Sequence, residues 1–191
     1  MRPLNSRNAN SRGFSLIEVM VALIVISLGL LGVAKMEALS LSSTTVASMR
    51  ALAAIEASSL ASAMHVNRGY WTKADVSSAA IAVQGAAVAV TAGAPLLAGA
   101  LAAPPDCTQA PAAPCSVANL AAYDLQVWAN ALNTMLPNET ATIVCSNLTP
   151  ISCTVTITWS ENAVAVNAQE AAAANPAAAF ENPSYTLYIE P

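Results

Sequence analysis

Glu18 stands one helical turn beyond Phe14 in "RGFSLIEVMVALIV", a stretch that opens an otherwise uncharged run reaching Ala34. An ionisable side chain inside an apolar span costs about 2.5 to 3.5 kcal/mol on insertion scales, so the acid needs a compensating charge. Cutting the peptide bond between Gly13 and Phe14 would supply one, because the new chain would begin with a protonated amine at Phe14. That ammonium can neutralise Glu18 within the helix, at i to i+4, or on a neighbouring copy. The chemistry on offer is a cleavage followed by charge pairing, with the chain as substrate.

Four cysteines form the second set of reactive groups, Cys107 with Cys115 and Cys145 with Cys153, two pairs of equal spacing. Oxidised, four cysteines permit three pairings. Zinc ligation is the competing use, but paired short spacings and added histidines are missing. His65 is the single histidine, so a Ser/His/Asp or Cys/His device would hang on one residue at a predicted helix end. Asp75, Asp106, Asp124, Glu139, Glu161, Glu170, Glu181 and Glu190 are scattered, and no Gly-rich phosphate loop or metal-ligand cluster occurs. No catalytic residue, cofactor or metal site is expected, and a membrane-anchored periplasmic enzyme is the reading this sparseness disfavours.

These groups need elements to hold them. Phe14 to Ala34, at about 1.5 Å per residue, makes a helix of roughly 30 Å, enough for one bilayer crossing. Ahead of it "MRPLNSRNANSRG" carries Arg2, Arg7 and Arg12 and no acid, so the positive-inside rule keeps the N-terminus cytoplasmic. Everything after about Lys35 is then extracytoplasmic, where disulfides persist. A conventional secretory signal shares this plan, with "LGVAK" as a conceivable cleavage site after Ala34. The length of the apolar run and its early acid argue against it.

From Met36 to Val66 there is no Pro or Gly, and Val46, Met49, Ala53, Leu60 and Met64 share one helical face. The spacing predicts a helix that continues past the span to about residue 68 and ends near "NRG", with Gly69 as a left-handed cap. Residues 76 to 105 are uncharged, small and broken by Gly and Pro, which predicts a surface-lying loop or short strands in preference to a second span. "VANLAAYDLQVWANALNTMLP" reads as a helix with Leu120, Tyr123, Leu125, Val127, Trp128 and Leu132 as its apolar positions, stopped by Pro137.

"TATIVC" and "CTVTITWSE" alternate around "SNLTPIS", a hairpin pattern that puts Cys145 opposite Cys153. The Pro-rich "TQAPAAP" makes a local Cys107 to Cys115 loop natural. Asn162 to Pro183 reads as a strand edge followed by a long loop, and "SYTLYI" as a last strand. The expected fold class is α+β: a long N-terminal helix packed on a C-terminal antiparallel sheet.

Composition narrows the partners. The chain has 191 residues, 55% apolar but only 9% charged, and much of the apolar share is alanine. Net charge is −4 and no Lys/Arg cluster follows Arg12, so no nucleic-acid footprint is evident.

Residues 12 to 34, "RGFSLIEVMVALIVISLGLLGVA", closely resemble the class III leader junction and N-terminal helix of type IV pilins and pseudopilins. The resemblance implies a leader at 1–13 cut after Gly13 by a prepilin peptidase, N-methylation of Phe14, and Glu18 pairing with the amine of an adjacent subunit during assembly. It implies a membrane and assembly segment at 14–34 within a helix of 14–68, and a periplasmic head at 69–191 that later reaches the pilus surface. Gly29 and Gly32 read as helix-contact positions; the family suggests in addition that the helix loosens there in a filament. Many major pilins carry a proline where this chain has Lys35, which favours minor pilins and pseudopilins. "NRGYW", "AAYDLQVWANALNTMLP" and the cysteine hairpin running into "VTITWSE" are looser matches to minor pilins of the PilV type. The implied partners are other minor pilins, the major pilin, the peptidase, the inner-membrane assembly machinery and the lipid bilayer. A type II secretion pseudopilin is the alternative, followed by a surface adhesin or binding protein.

Overall fold

A computed structural model describes residues 15–103, 106–108, 115–162 and 180–191. The expected leader, Gly13 and Phe14, most of "TQAPAAP", Glu170 and most of the 162 to 183 stretch lie outside the described residues. The chain divides into two compact units, one through Leu41 and the other from Ser42 onward.

Helix α1 runs Leu16–Val66. In the first unit every residue from Ser15 to Ala38 is exposed. By length and composition this is a helix that can cross a membrane, and among the described residues it is the one that passes that test.

In the second unit α1 becomes amphipathic. Ala53, Ala57, Leu60 and Met64 are buried in the core of the head, with Met49 and Leu52 packed at its edge and Val46 half-buried. The spacing of those buried positions is the three-and-four rhythm of one helical face. Glu56 joins them, which the apolar stripe did not predict.

The expected left-handed cap at Gly69 is not formed. α1 stops at Val66 because buried Asn67 turns its side-chain amide to the Val117 carbonyl, donating at 2.8 Å. The chain then restarts as α2, Arg68–Trp71, which contains Gly69 and buries Tyr70 and Trp71. Tyr70 and Trp71 contact edge to face, with ring centroids 5.4 Å apart.

After a 3₁₀ turn at Ala74–Val76 come β1, Ala80–Gln84, and β2, Ala87–Ala92. They pair through a two-residue turn whose first residue, Gly85, has φ +57°, a conformation that suits a residue without Cβ. Gly93 at φ +60° is also required by space, since a Cβ there would lie 2.9 Å from the Ala79 Cα. Helix α3, Pro95–Ala102, follows. The short strands expected between residues 76 and 105 are therefore present, but α3 was not expected. Its N-terminus is fixed at a distance: Asp75 accepts from the backbone N–H groups of Ala94, through its carbonyl, and of Leu96, through its carboxylate.

Helix α4 covers Val117–Met135, with Ser116 as N-cap accepting from the Asn119 N–H at 3.1 Å. It buries Ala121, Ala122, Leu125, Trp128, Ala129 and Leu132. Val127, expected on the apolar face, is 51% exposed, because the small alanines let α4 approach its neighbours on a different face.

Strands β3, Thr140–Cys145, and β4, Cys153–Thr158, form the expected hairpin, and β7, Ser184–Ile189, pairs with β4. The sheet order is β2-β1-β3-β4-β7, antiparallel throughout. Strands β5, Glu161–Asn162, and β6, Phe180–Glu181, form a separate two-stranded piece. Period-two alternation sends Ile81, Val83, Ile143, Val155, Ile157 and Ile189 into the core, while threonines such as Thr142, Thr154 and Thr156 face outward. The architecture is α+β and pilin-like: a long N-terminal helix followed by a five-stranded antiparallel sheet.

Candidate functional site

Glu18 lies in the first turn of α1, where its N–H donates to the Ser15 carbonyl at 3.0 Å. A carboxylate at this end is favoured by the positive pole of the helix macrodipole. It is ringed by exposed apolar residues, Leu16, Ile17, Val19 and Val21 among them. Among the described residues up to Ala34, Glu18 is thus the one carrier of negative charge on a surface that otherwise suits lipid or other apolar helices. Gly13 and Phe14, the expected processing residues, lie outside the described residues.

Farther along, Cβ atoms built on Gly29 and Gly32 would meet nothing within 4 Å. The two glycines share a helix face at i to i+3 and leave a shallow strip open to a neighbouring helix. α1 is helical through both, and between Glu18 and Gly29 the Ser27 hydroxyl donates back to the Leu23 carbonyl, a local way of satisfying a polar group in an apolar helix.

In the head, side-chain bonds hold the second half of α1 in place. The Arg50 guanidinium donates to both carboxylate oxygens of Glu161, Nε to Oε1 at 3.2 Å and Nη2 to Oε2 at 3.1 Å. Glu161 is buried and also accepts from the Trp159 indole N–H at 3.0 Å. The Trp128 indole N–H donates to the Glu56 carbonyl at 2.9 Å, pinning α4 to α1. Tyr70 donates its hydroxyl to Asp75 at 2.7 Å, and burial first, then that carboxylate, push its phenol well above the ordinary tyrosine range. Sequence reasoning did not single out Arg50 or Glu161. The available signals were weak: an arginine beside Met49 on the packed stretch of helix, and an acid two residues after the tryptophan that follows a strand.

Both disulfides close eight-residue separations. Cys145 and Cys153 are directly opposed in the β3/β4 register, with Cα atoms 4.0 Å apart, and both are buried. Cys107 and Cys115 are joined with Cα atoms 5.8 Å apart and are half-buried. His65 is exposed at the end of α1. Among the described residues no three His, Cys, Asp or Glu side chains converge on a common point.

Among the described residues, clefts on the head include the following pair. One, of about 250 Å³, lies between α1 and α4 and is lined by Glu56, Tyr123, Asp124 and Trp128 among others. Burial there raises the Asp124 carboxyl above its ordinary range. The other, of about 350 Å³, lies where α4 meets the β1/β2 turn and the start of β3.

Residues 8–34 match a protein family described as the prokaryotic N-terminal methylation motif. This stretch is a type IV pilin-like prepilin signal and contains the Gly13–Phe14 bond, Glu18, Gly29 and Gly32. Comparison with curated proteins and with solved structures gave no match. The segment that matches is the one whose exposed apolar surface carries a single acid.

Proposed function

We propose that this chain is a minor pilin that helps to initiate and support type IV pilus assembly, held first in the inner membrane and then in the filament by α1. The observation that carries the reading is Glu18: an acid in the first turn of an exposed apolar helix, inside a matched prepilin signal. Leader residues 1–13 are removed by a prepilin peptidase after Gly13, and the freed amine of Phe14 is methylated. The ammonium of one subunit then neutralises Glu18 of the next, so that the helix enters the bundle only beside a processed partner.

Residues 14–34 serve as anchor and assembly segment, and the head from residue 69 onward faces the periplasm and then the pilus surface. There it presents surfaces to other minor pilins and the major pilin. The chain performs no covalent chemistry of its own. Lys35 in place of a helix-bending proline, together with the cysteine hairpin, supports a minor pilin of the PilV type.

Deleting the chain should leave the cell with few or no surface pili by electron microscopy while type II secretion continues. Wild-type protein should restore them, and Gly13 replaced by a bulky residue should not, its precursor staying at full leader-bearing size on immunoblots. Normal piliation with failed secretion would instead make the chain a pseudopilin, and a mature-sized Gly13 variant would refute cleavage at this bond.

A further inference from the structure

The cleft of about 350 Å³ at the end of α4 is lined by Gln84, Gly85, Asn133, Pro137, Asn138 and Glu139, with Leu136 and Thr140 completing it. Glu139, just before β3, is 4% exposed, and its Oε1 has no hydrogen-bond partner. A buried carboxylate oxygen without a donor is costly, and native structures rarely keep one without a reason. None of the lining residues is a Lys, Arg or His, so no cationic side chain of the lining neutralises it.

What those residues offer is oxygen. Gln84, Asn133 and Asn138 each carry an amide oxygen and Thr140 a hydroxyl. Asn138 donates its amide nitrogen to the Ser160 hydroxyl at 2.9 Å, which commits that end of the amide and leaves its oxygen as an acceptor. Asn138 and Gly85, both lining the cleft, sit in the left-handed region at φ 50° and 57°. α4 ends at Met135, so the negative pole of its macrodipole, roughly half a charge, falls at the same place. An ionisable acid, neutral oxygen ligands and a helix C-terminus all favour positive charge.

The chemistry of the lining selects the cation. No aromatic ring lines the cleft, so an organic ammonium would find no cation–π platform. No His or Cys lines it either, which removes the ligands that zinc and copper prefer. Irregular oxygen ligands with a single carboxylate suit calcium, which accepts six to eight oxygens in flexible geometry, better than magnesium, which demands a near-ideal octahedron.

We propose that this cleft binds a hard divalent cation of the calcium class, with Glu139 as its charged ligand and the oxygens of Gln84, Asn133 and Asn138 supporting it. A single carboxylate puts the affinity in the weak class of extracellular modules, about 10⁻⁴ to 10⁻³ M. Binding ties together the end of β1, the end of α4 and the start of β3, three elements that meet at this point. It departs from the sequence expectation of no metal, and it does not depend on the pilus reading.

The test uses the full chain in a nonionic detergent, titrated with calcium chloride by calorimetry and unfolded thermally with and without the ion. Saturable binding in the millimolar range and a raised unfolding temperature are expected, with a smaller response to magnesium and none to potassium at matched ionic strength. Glu139→Gln should lose at least about tenfold in calcium affinity, while Glu190→Gln, an exposed acid elsewhere, should bind as wild type. If Glu139→Gln does not fold, Asn133→Ala must show weakened binding in its place. No saturable calcium binding by wild type, equal binding by Glu139→Gln or by Asn133→Ala, or an equal magnesium response would overturn the proposal.

Discussion

Arg50 and Glu161, 111 residues apart in sequence, join through two parallel hydrogen bonds of 3.2 and 3.1 Å. The fork of the guanidinium matches both oxygens of the carboxylate, and Trp159 adds a third donor to Glu161. Glu161 is 4% exposed while the Arg50 side chain is 58% exposed, so the pair is anchored on its acidic side. Removing the arginine strands a buried carboxylate with one neutral donor. Arg50→Ala should therefore destabilise the head by about 1 to 2 kcal/mol, the lower part of the range for charged hydrogen bonds because the cation is solvated. Arg50→Lys should recover only part of this, lacking the fork. Denaturant unfolding of the full chain in detergent measures it, and a wild-type midpoint for Arg50→Ala would show the pair to be inert.

Glu18→Ala should be cut and inserted normally but enter filaments poorly. Losing one partner of a charge pair buried among apolar helices costs several kcal/mol, and each 1.4 kcal/mol is tenfold, so incorporation should fall by at least about tenfold. Quantitative immunoblotting of sheared filaments against membrane fractions reads this out. Undiminished incorporation would remove the proposed pairing.

The two disulfides have equal separations of eight residues, hence similar loop entropies worth about 2.5 kcal/mol. They differ in burial. Replacing Cys145 and Cys153 by Ala should cost more than replacing Cys107 and Cys115, because the former pair also loses packing in the core. Unfolding midpoints of the two double variants check the order, and peptide mapping of unreduced protein should recover Cys145 joined to Cys153. Equal losses would mean that burial of the hairpin bridge adds nothing.

Asp124 lies in the α1/α4 cleft with Glu56 and Tyr123, and burial raises its carboxyl above the ordinary range. In the unfolded chain such a group ionises near about pH 3.9. The native state therefore holds the proton more tightly, and the stability it contributes at low pH is lost as pH rises through the native value. Asp124→Asn should unfold at a higher temperature than wild type near neutral pH, with the difference closing below about pH 3.5. Thermal unfolding across that range is decisive; an unchanged difference at all pH values would assign the effect to packing.

The elements legible in the sequence were those with strong local periodicity. The α1 stripe of Ala53, Leu60 and Met64, the body of α4, and the β3/β4 hairpin all announce themselves within windows of one element, whereas the Ser116 cap of α4 was not read from the sequence. β1 and β2 were only half legible, because Ala and Val fit a strand or a loop alike until β3 supplies a partner along Ala80 to Gln84. α3 was illegible because its start depends on Asp75, some twenty residues upstream. The Gly69 expectation failed for a similar reason: the Val117 carbonyl, on another helix, captures Asn67 and ends α1 first.

The sequence by itself determined the N-terminal device. The Gly13–Phe14 bond proposed for cleavage, an acid one turn later and an apolar span are neighbours along the chain, so the proposal could be read from spacing alone. Only the tertiary structure decided that Arg50 meets Glu161, that Trp128 holds the Glu56 carbonyl, and that Glu139 is buried with an oxygen unpaired. Hydrogen bonds and burial act over a few ångströms of space, so residues far apart in the chain can interact only after packing has set that distance.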